Sequence, residues 1–182
     1  VAGTDSYKHA APELTWALLM ALTRDVLGEA QSLRDGGWQI GLGGDLHGTT
    51  LGLLGLGSIG EKVARFGQAF GMRVIAWSQD LTPQRAAEVG VEYVDKQQLF
   101  EQADVLSVHL VLSERSRGLV DAQALTWMKP GARLVNTSRG PIIDETALIQ
   151  ALREGRLAGA ALDVFDEEPL PQDHPFRTLP NV

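Results

Sequence analysis

Along the 182-residue chain, apolar positions change rhythm in a way that predicts an alternation of strands and helices. From Leu51 onward, short runs rich in Val, Ile and Leu alternate with segments of helical period, the pattern of parallel strands joined by crossover helices. The runs at 50–54, 73–77, 104–110, 133–137 and 159–164 predict strands. Between the first two, Ile59, Val63, Phe66 and Phe70 recur at intervals of 4, 3 and 4, which predicts a helix with one apolar stripe. Ala122, Leu125 and Met128 predict a shorter helix ended by Pro130-Gly131, and Leu148, Ala151 and Leu152 another that stops near Gly155. The sum is an α/β fold built on a doubly wound parallel sheet.

Ahead of this core, residues Pro12 to Gly28 read as a helix. Pro sits at an allowed first-turn position, Glu13 is favourable near the positive end, and apolar side chains lie nearly all round, so burial is expected. Residues 28–48 hold seven Gly, a density that predicts an irregular connection. The organisation is therefore a helical region over 1–28, a connection over 29–48 and a core over 49–182.

Composition narrows the chemistry. With 44% hydrophobic and 21% charged residues, the chain can close one ordinary core. A net charge of -7 disfavours a nucleic-acid partner, which needs clustered Lys and Arg. The absence of Cys excludes disulfides, thiolate metal sites and cysteine nucleophiles, and no metal site is expected. The longest apolar run, Trp16 to Leu22, falls far short of the roughly 20 residues of a membrane-spanning helix. The expectation is a soluble, cytoplasmic protein without a membrane partner. Because the sequence starts at Val1 and stops just past an apolar turn, a fragment of something longer is also expected.

Gly55-Leu56-Gly57-Ser58-Ile59-Gly60 follows the first strand and opens the amphipathic helix. In that context one Gly permits a tight turn, the next lets a pyrophosphate approach, and the third allows close helix packing, so a Rossmann-type dinucleotide site is expected. A carboxylate that reads the ribose should stand near the end of the second strand. Here the chain offers Ser78 at the strand end and Asp80 two residues on, with Asp80 equally readable as a turn residue. None of residues 77–80 is basic, which favours NAD and leaves NADP open. His109, Thr137, Arg139 and Asp163 all fall at or near the ends of apolar runs, where open α/β sheets bind ligands. Arg139, in a turn with Gly140 and Pro141, suits bidentate capture of a carboxylate, the plainer alternative being an ion pair with Asp144 or Glu145. Asp163 interrupts an apolar run, which calls for a partner or a ligand. His174, between Asp173 and Pro175, reads as a loop residue.

These motifs, with Met128-Lys129-Pro130-Gly131-Ala132, Leu134-Val135-Asn136-Thr137-Ser138-Arg139-Gly140 and Ala161-Leu162-Asp163-Val164-Phe165 followed by Glu168-Pro169, make the chain resemble the cofactor-binding domain of the D-isomer-specific 2-hydroxyacid dehydrogenases. That resemblance implies hydride transfer between NAD(H) and a small-molecule D-2-hydroxy acid/2-oxo acid pair. It also implies that Arg139 binds substrate, that Glu168 pairs with the catalytic histidine, that Asp163 contacts the nicotinamide carboxamide, and that His109 and Thr137 line the cofactor cleft. The family's substrate domain, and the histidine that follows a Pro-Asn-Val like Pro180-Asn181-Val182, are expected in segments missing here. A homodimer is expected of the full-length protein, with the helix from Pro12 at the two-fold contact. Family members strict for NAD usually carry an acidic residue where Ser78 stands. Two rivals share the fold: an NADH-sensing module of the corepressor type, and a formate dehydrogenase. Glu168 argues against the latter, since a carboxylate that tunes a histidine is useful chiefly where an oxygen gains or loses a proton.

Overall fold

A computed structural model describes residues 9–182. Residues 1–8, the beginning of the expected helical region, lie outside the described residues. Six strands, β1 (Thr50–Leu54), β2 (Arg73–Trp77), β3 (Glu92–Tyr93), β4 (Val105–Val108), β5 (Ala132–Asn136) and β6 (Leu157–Leu162), form one sheet in the order β3-β2-β1-β4-β5-β6. Every pairing is parallel. Strand order reverses between β1 and β4, and ligands of such sheets bind in the crevice at that reversal.

Helices cover both faces, so the central strands are buried on both sides and read as continuous apolar runs. One apolar layer centres on Leu54, Ile75, Phe100, Leu106 and Leu134; the other holds Trp16, Leu19, Leu51, Leu53, Val63 and Val135. Helix α3 (Ser58–Ala69) turns Gly60, Val63, Ala64 and Gly67 to the sheet. The stripe expected through Phe66 and Phe70 is displaced to the rim, because small residues on the sheet side let the helix sit close. A Cβ on Gly67 would meet Leu51 Cδ2 at 2.7 Å. Phe66 and Phe70 instead pack on Trp16 of α1 (Ala10–Arg24), Phe70 stacked at 4.8 Å between ring centroids.

Three expectations need correction. First, α1 buries Ala11, Pro12, Thr15, Trp16, Leu19 and Thr23 along one face only. Second, it ends at Arg24, where Asp25 takes a left-handed conformation, and a further helix α2 (Val26–Arg34) runs through Gly28. The irregular connection is thus 35–49, and Gly28 is a helical residue over which the Asp25 carboxylate lies: a Cβ there would meet Asp25 Oδ2 at 2.5 Å. Third, the edge strand β3 and the helices α4 (Pro83–Glu88) and α5 (Lys96–Gln102) were not anticipated. Helices α6 (Ala122–Trp127) and α7 (Glu145–Arg153) fall where the periodicity places them. Among the described residues, no helix is long and apolar enough to cross a membrane.

Candidate cofactor and substrate site

The register of the sheet aligns the strand ends. Leu54 lies beside Trp77 on one side and Val108 on the other; Val108 is opposite Asn136, and Asn136 opposite Leu162. The next residue of each strand is Ser78, Gly55, His109, Thr137 and Asp163, so five sequence-predicted site residues form a single row just past one edge. Backbone hydrogen bonds hold the row: Gly55 N–H donates to the Trp77 carbonyl (2.9 Å), His109 N–H to that of Leu54 (2.8 Å), and Asp163 N–H to that of Asn136 (3.0 Å).

Each glycine of the loop does a different job. Gly55 has φ of +107°, and a Cβ there would meet the His109 carbonyl oxygen at 2.8 Å. At Gly60 a Cβ would strike the Gly55 carbonyl oxygen at 2.3 Å, so its hydrogen brings the first turn of α3 against β1. Gly57 faces open space, with no atom within 4 Å of a Cβ position. It also occupies the cap position of α3, and no side chain caps that helix. By contrast α4, α5, α6 and α7 are capped by the side chains of Thr82, Asp95, Asp121 and Asp144. The first turn of α3, Ser58-Ile59-Gly60, therefore presents backbone N–H groups and the positive end of the helix dipole to an open face, which fits a pyrophosphate.

On the other side of the reversal, Asn136 fixes the loop that carries Arg139. It is buried; its Nδ2 donates to the Arg139 carbonyl (3.0 Å) and its Oδ1 accepts from Ser138 N–H (3.0 Å). The Ser138 hydroxyl donates to the Leu110 carbonyl, tying this loop to that after β4. The Arg139 side chain is exposed and donates to the Ser138 carbonyl. Among the described residues it forms no ion pair: of the two suggested partners, Asp144 caps α7 through Ala147 N–H and Glu145 bonds His174 Nε2 at 2.9 Å. Gly140 brings the Arg139 loop onto the next one, since a Cβ there would fall 2.1 Å from the Phe165 carbonyl carbon. In that second loop Glu168 Oε1 accepts from the N–H of Phe165 (3.1 Å), the residue that Gly140 packs against.

Two histidines are accounted for by local chemistry. Burial pushes the His109 imidazole down to about 4, so it is neutral at pH 7, with Nε2 2.9 Å from Ser107 Oγ. His174 accepts from Phe176 N–H at Nδ1 (3.2 Å), so Nε2 carries the hydrogen donated to Glu145 and the ring acts as a loop brace. Thr137 is buried, and its hydroxyl lies 2.8 Å from that of Thr15 on α1. Because Thr15 already donates to the Ala11 carbonyl, Thr137 is the donor of that bond. Its side chain thus anchors the helical region to the floor of the cleft. Asp166, near Glu145, has its carboxyl raised by burial, with the Glu145 charge adding to the effect.

Sequence reasoning missed two residues. Asn136 was visible only as part of a motif, although an Asn two residues before a turn serine is a recognisable side-chain-to-backbone brace. Arg115 gave no signal. In the structure its guanidinium meets Asp80 Oδ1 at 2.9 Å, which puts a basic group at the end of β2.

The row of strand ends and the uncapped α3 mark an α/β domain of the dinucleotide-binding class. The chain belongs to the D-isomer specific 2-hydroxyacid dehydrogenase family, whose NAD-binding domain matches residues 16–182. It is 44% identical over 183 residues to the glyoxylate reductase of Aeropyrum pernix, covering 96% of this chain and 55% of that protein. Among solved structures, phosphoglycerate oxidoreductase from Vibrio cholerae superposes with a TM-score of 0.90 at 41% identity, covering 96% of this chain and 57% of that one. D-lactate dehydrogenase from Aquifex aeolicus, solved with NAD and lactic acid, gives a TM-score of 0.83 at 29% identity over 89% of this chain and 50% of that one. The chain thus spans about half the length of these relatives.

Proposed function

We propose that this domain holds NAD(H) for a full-length enzyme that interconverts a D-2-hydroxy acid and its 2-oxo acid. The observation that carries the reading is the aligned row of Ser78, Gly55, His109, Thr137 and Asp163, flanked by the uncapped α3 on one side and Arg139 on the other. Gly57, Ser58, Ile59 and Gly60 would hold the pyrophosphate, Ser78 and Asp80 would lie by the adenosine ribose, and Asp163 would orient the nicotinamide. When bound, the nicotinamide supplies or accepts the hydride. Arg139, whose guanidinium has no carboxylate partner of its own among the described residues, grips the substrate α-carboxylate and polarises the neighbouring carbonyl. Glu168 raises the affinity of a partner histidine for the proton that reaches the substrate oxygen. Neither His109, held neutral, nor His174, engaged at both ring nitrogens, fills that place.

The test uses Arg139→Ala in the full-length protein, assayed against a panel of 2-oxo acids. Loss of a charge-assisted bidentate contact should lower kcat/KM by roughly 100-fold or more while leaving NADH affinity unchanged. Unchanged turnover would remove Arg139 from the mechanism. NADH binding without turnover of any 2-oxo acid would favour the sensing module.

The partner proposed for the α1–α2 region is a second copy of the chain. Helix α2 buries none of its residues and exposes Leu27 and Leu33, and the arm after it exposes Trp38, Ile40 and Leu42. Exposed apolar side chains so concentrated in one stretch of sequence support a self-complementary two-fold contact.

A further inference from the structure

The row of strand ends leaves the adenosine side of the cleft with one feature unexplained: an arginine brought there from a loop far away in sequence. We propose that Arg115 is a cofactor-specificity residue, a ligand for the 2′-phosphate of NADPH that Asp80 holds at the end of β2 until that phosphate displaces it. The inference rests on the dinucleotide reading of the site above.

Three observations place Arg115. The loop after β4 is braced internally by Ser116, which is buried: its hydroxyl accepts from Ser113 N–H (2.8 Å) and donates to the Val111 carbonyl (2.7 Å). That loop is then tied across to the one after β2, where Gln79 Nε2 donates to the Arg115 carbonyl at 2.7 Å. Finally, the Arg115 side chain meets Asp80 Oδ1 at 2.9 Å, two residues beyond Ser78. Main chain and side chain are both fixed beside the position where a Rossmann domain meets the adenosine ribose. An arginine there serves a 2′-phosphate, whereas a carboxylate serves the free 2′-hydroxyl.

The pairing of opposite charges is what allows a choice. Both side chains are largely open to solvent, 61% for Arg115 and 82% for Asp80, so the ion pair itself is weak. A dianionic phosphate makes a stronger, bidentate match to a guanidinium than a carboxylate at one oxygen does, and it can take Arg115 from Asp80. Ser78 supplies a neutral hydroxyl at the strand end, which repels neither cofactor. With NADH, Asp80 retains Arg115 and can accept from a ribose hydroxyl. The site therefore admits both cofactors, and the Asp80–Arg115 pair sets their ratio.

The experiment titrates the full-length protein with NADH and NADPH by calorimetry, as wild type, Arg115→Ala and Asp80→Ala. Arg115→Ala should weaken NADPH by about tenfold or more, the scale of a lost charge-assisted contact, and change NADH less than about threefold. Asp80→Ala should shift the preference towards NADPH, since it removes the one carboxylate that both competes for Arg115 and repels the phosphate. Equal losses of both cofactors in Arg115→Ala, no loss of either, or a wild type that binds NADH but not NADPH would each overturn the role of Arg115 alone. A wild type that binds neither cofactor would overturn the dinucleotide reading and this inference with it.

Discussion

Replacing the loop glycines one at a time separates what the fold needs from what a cofactor needs. At Gly57 the backbone is extended, with φ of -83°, and no protein atom lies within 4 Å of a Cβ position. Alanine there loses some helix-capping preference, about 0.5–1 kcal/mol, and gains a similar amount by restricting the unfolded chain. The net change in stability should be within about 1 kcal/mol, or a Tm shift of no more than about 4 °C for a domain this size. The added methyl nevertheless stands where a pyrophosphate must approach the first turn of α3. An overpacking cost of about 1–3 kcal/mol then falls on the complex alone and weakens NADH by roughly 5- to 150-fold. Gly55→Ala should behave in the opposite way. There φ is +107° and the Cβ would sit 2.8 Å from the His109 carbonyl oxygen, so backbone strain of about 1–3 kcal/mol adds to an overpacking cost of similar size. The Tm should fall by roughly 5–20 °C before any ligand is added. Thermal unfolding monitored by circular dichroism, with calorimetric titration of NADH, reads both quantities. If Gly57→Ala loses as much stability as Gly55→Ala, or binds NADH as well as wild type, the assignment of Gly57 to the cofactor face is wrong.

Asn136→Ala should strip partners from the Ser138 N–H and the Arg139 carbonyl, at a cost of about 2–4 kcal/mol, and lower the Tm by roughly 5–15 °C; a Tm within 2 °C of wild type, on that same estimate of at least about 2 kcal/mol, would show that the loop is held by other contacts. For His109, the unfolded imidazole titrates near 6.5 and the folded one at about 4, so between those values the unfolded chain binds more protons and stability falls as pH drops. His109→Gln should remove about 3 kcal/mol of the acid-induced loss between pH 6.5 and 4, measured by urea unfolding at several pH values; an unchanged pH profile would mean that the ring is solvated. Trp38, 79% exposed on the arm after α2, should be needed for self-association: Trp38→Asp is expected to convert a dimer into monomers in sedimentation velocity without changing the Tm of the monomeric domain. A wild-type protein that sediments as a monomer would refute the two-copy contact.

The legibility of the sequence followed the physics of each element. Strands β1 and β4, buried at every position, and β5, buried at all but Arg133, were readable as mainly apolar runs, as was β2 past its exposed Arg73; β6, an edge strand built on Ala and Gly, runs from Leu157 to Leu162, two residues earlier than the predicted 159–164. Strand β3 is only two residues long and exposed, so no periodicity could mark it. Helix α5 did carry a legible start, since Asp95 and Gln98 form a reciprocal capping box, but its seven residues give little helical period. Helix α2 was hidden by the glycines around it, because composition cannot tell a glycine that breaks a helix from Gly28, which lets Asp25 fold over one. At the site, residues carried by strand ends were visible because a strand has a fixed direction and a definite last residue. Partnerships across loops were not. The Asp80–Arg115 contact spans 35 residues, and Glu145 chose His174 over Arg139 for reasons set by the path of two loops.

The strand-end row and the two loops beside it are held mainly by main chain, and this explains how their side chains stay available. Gly60 rests on the Gly55 carbonyl and Gly140 on the Phe165–Asp166 peptide, both at distances that only a hydrogen permits. Together with Gly55 against the His109 carbonyl, these contacts hold the loop after β1 to that after β4, and the loop after β5 to that after β6, without asking Arg139 for an intramolecular ion pair. Three of the side chains that serve as braces are neutral and buried: Asn136 under the Arg139 turn, Ser116 under the loop after β4, Thr137 against α1. A charged brace would have competed for the anions the site is built to receive and would have lost its geometry whenever one bound. Arg115, by contrast, is held by a charge in an exposed pair. An exchangeable partner at that one position is what a site needs if it is to respond to a phosphate that one nicotinamide cofactor carries and the other lacks.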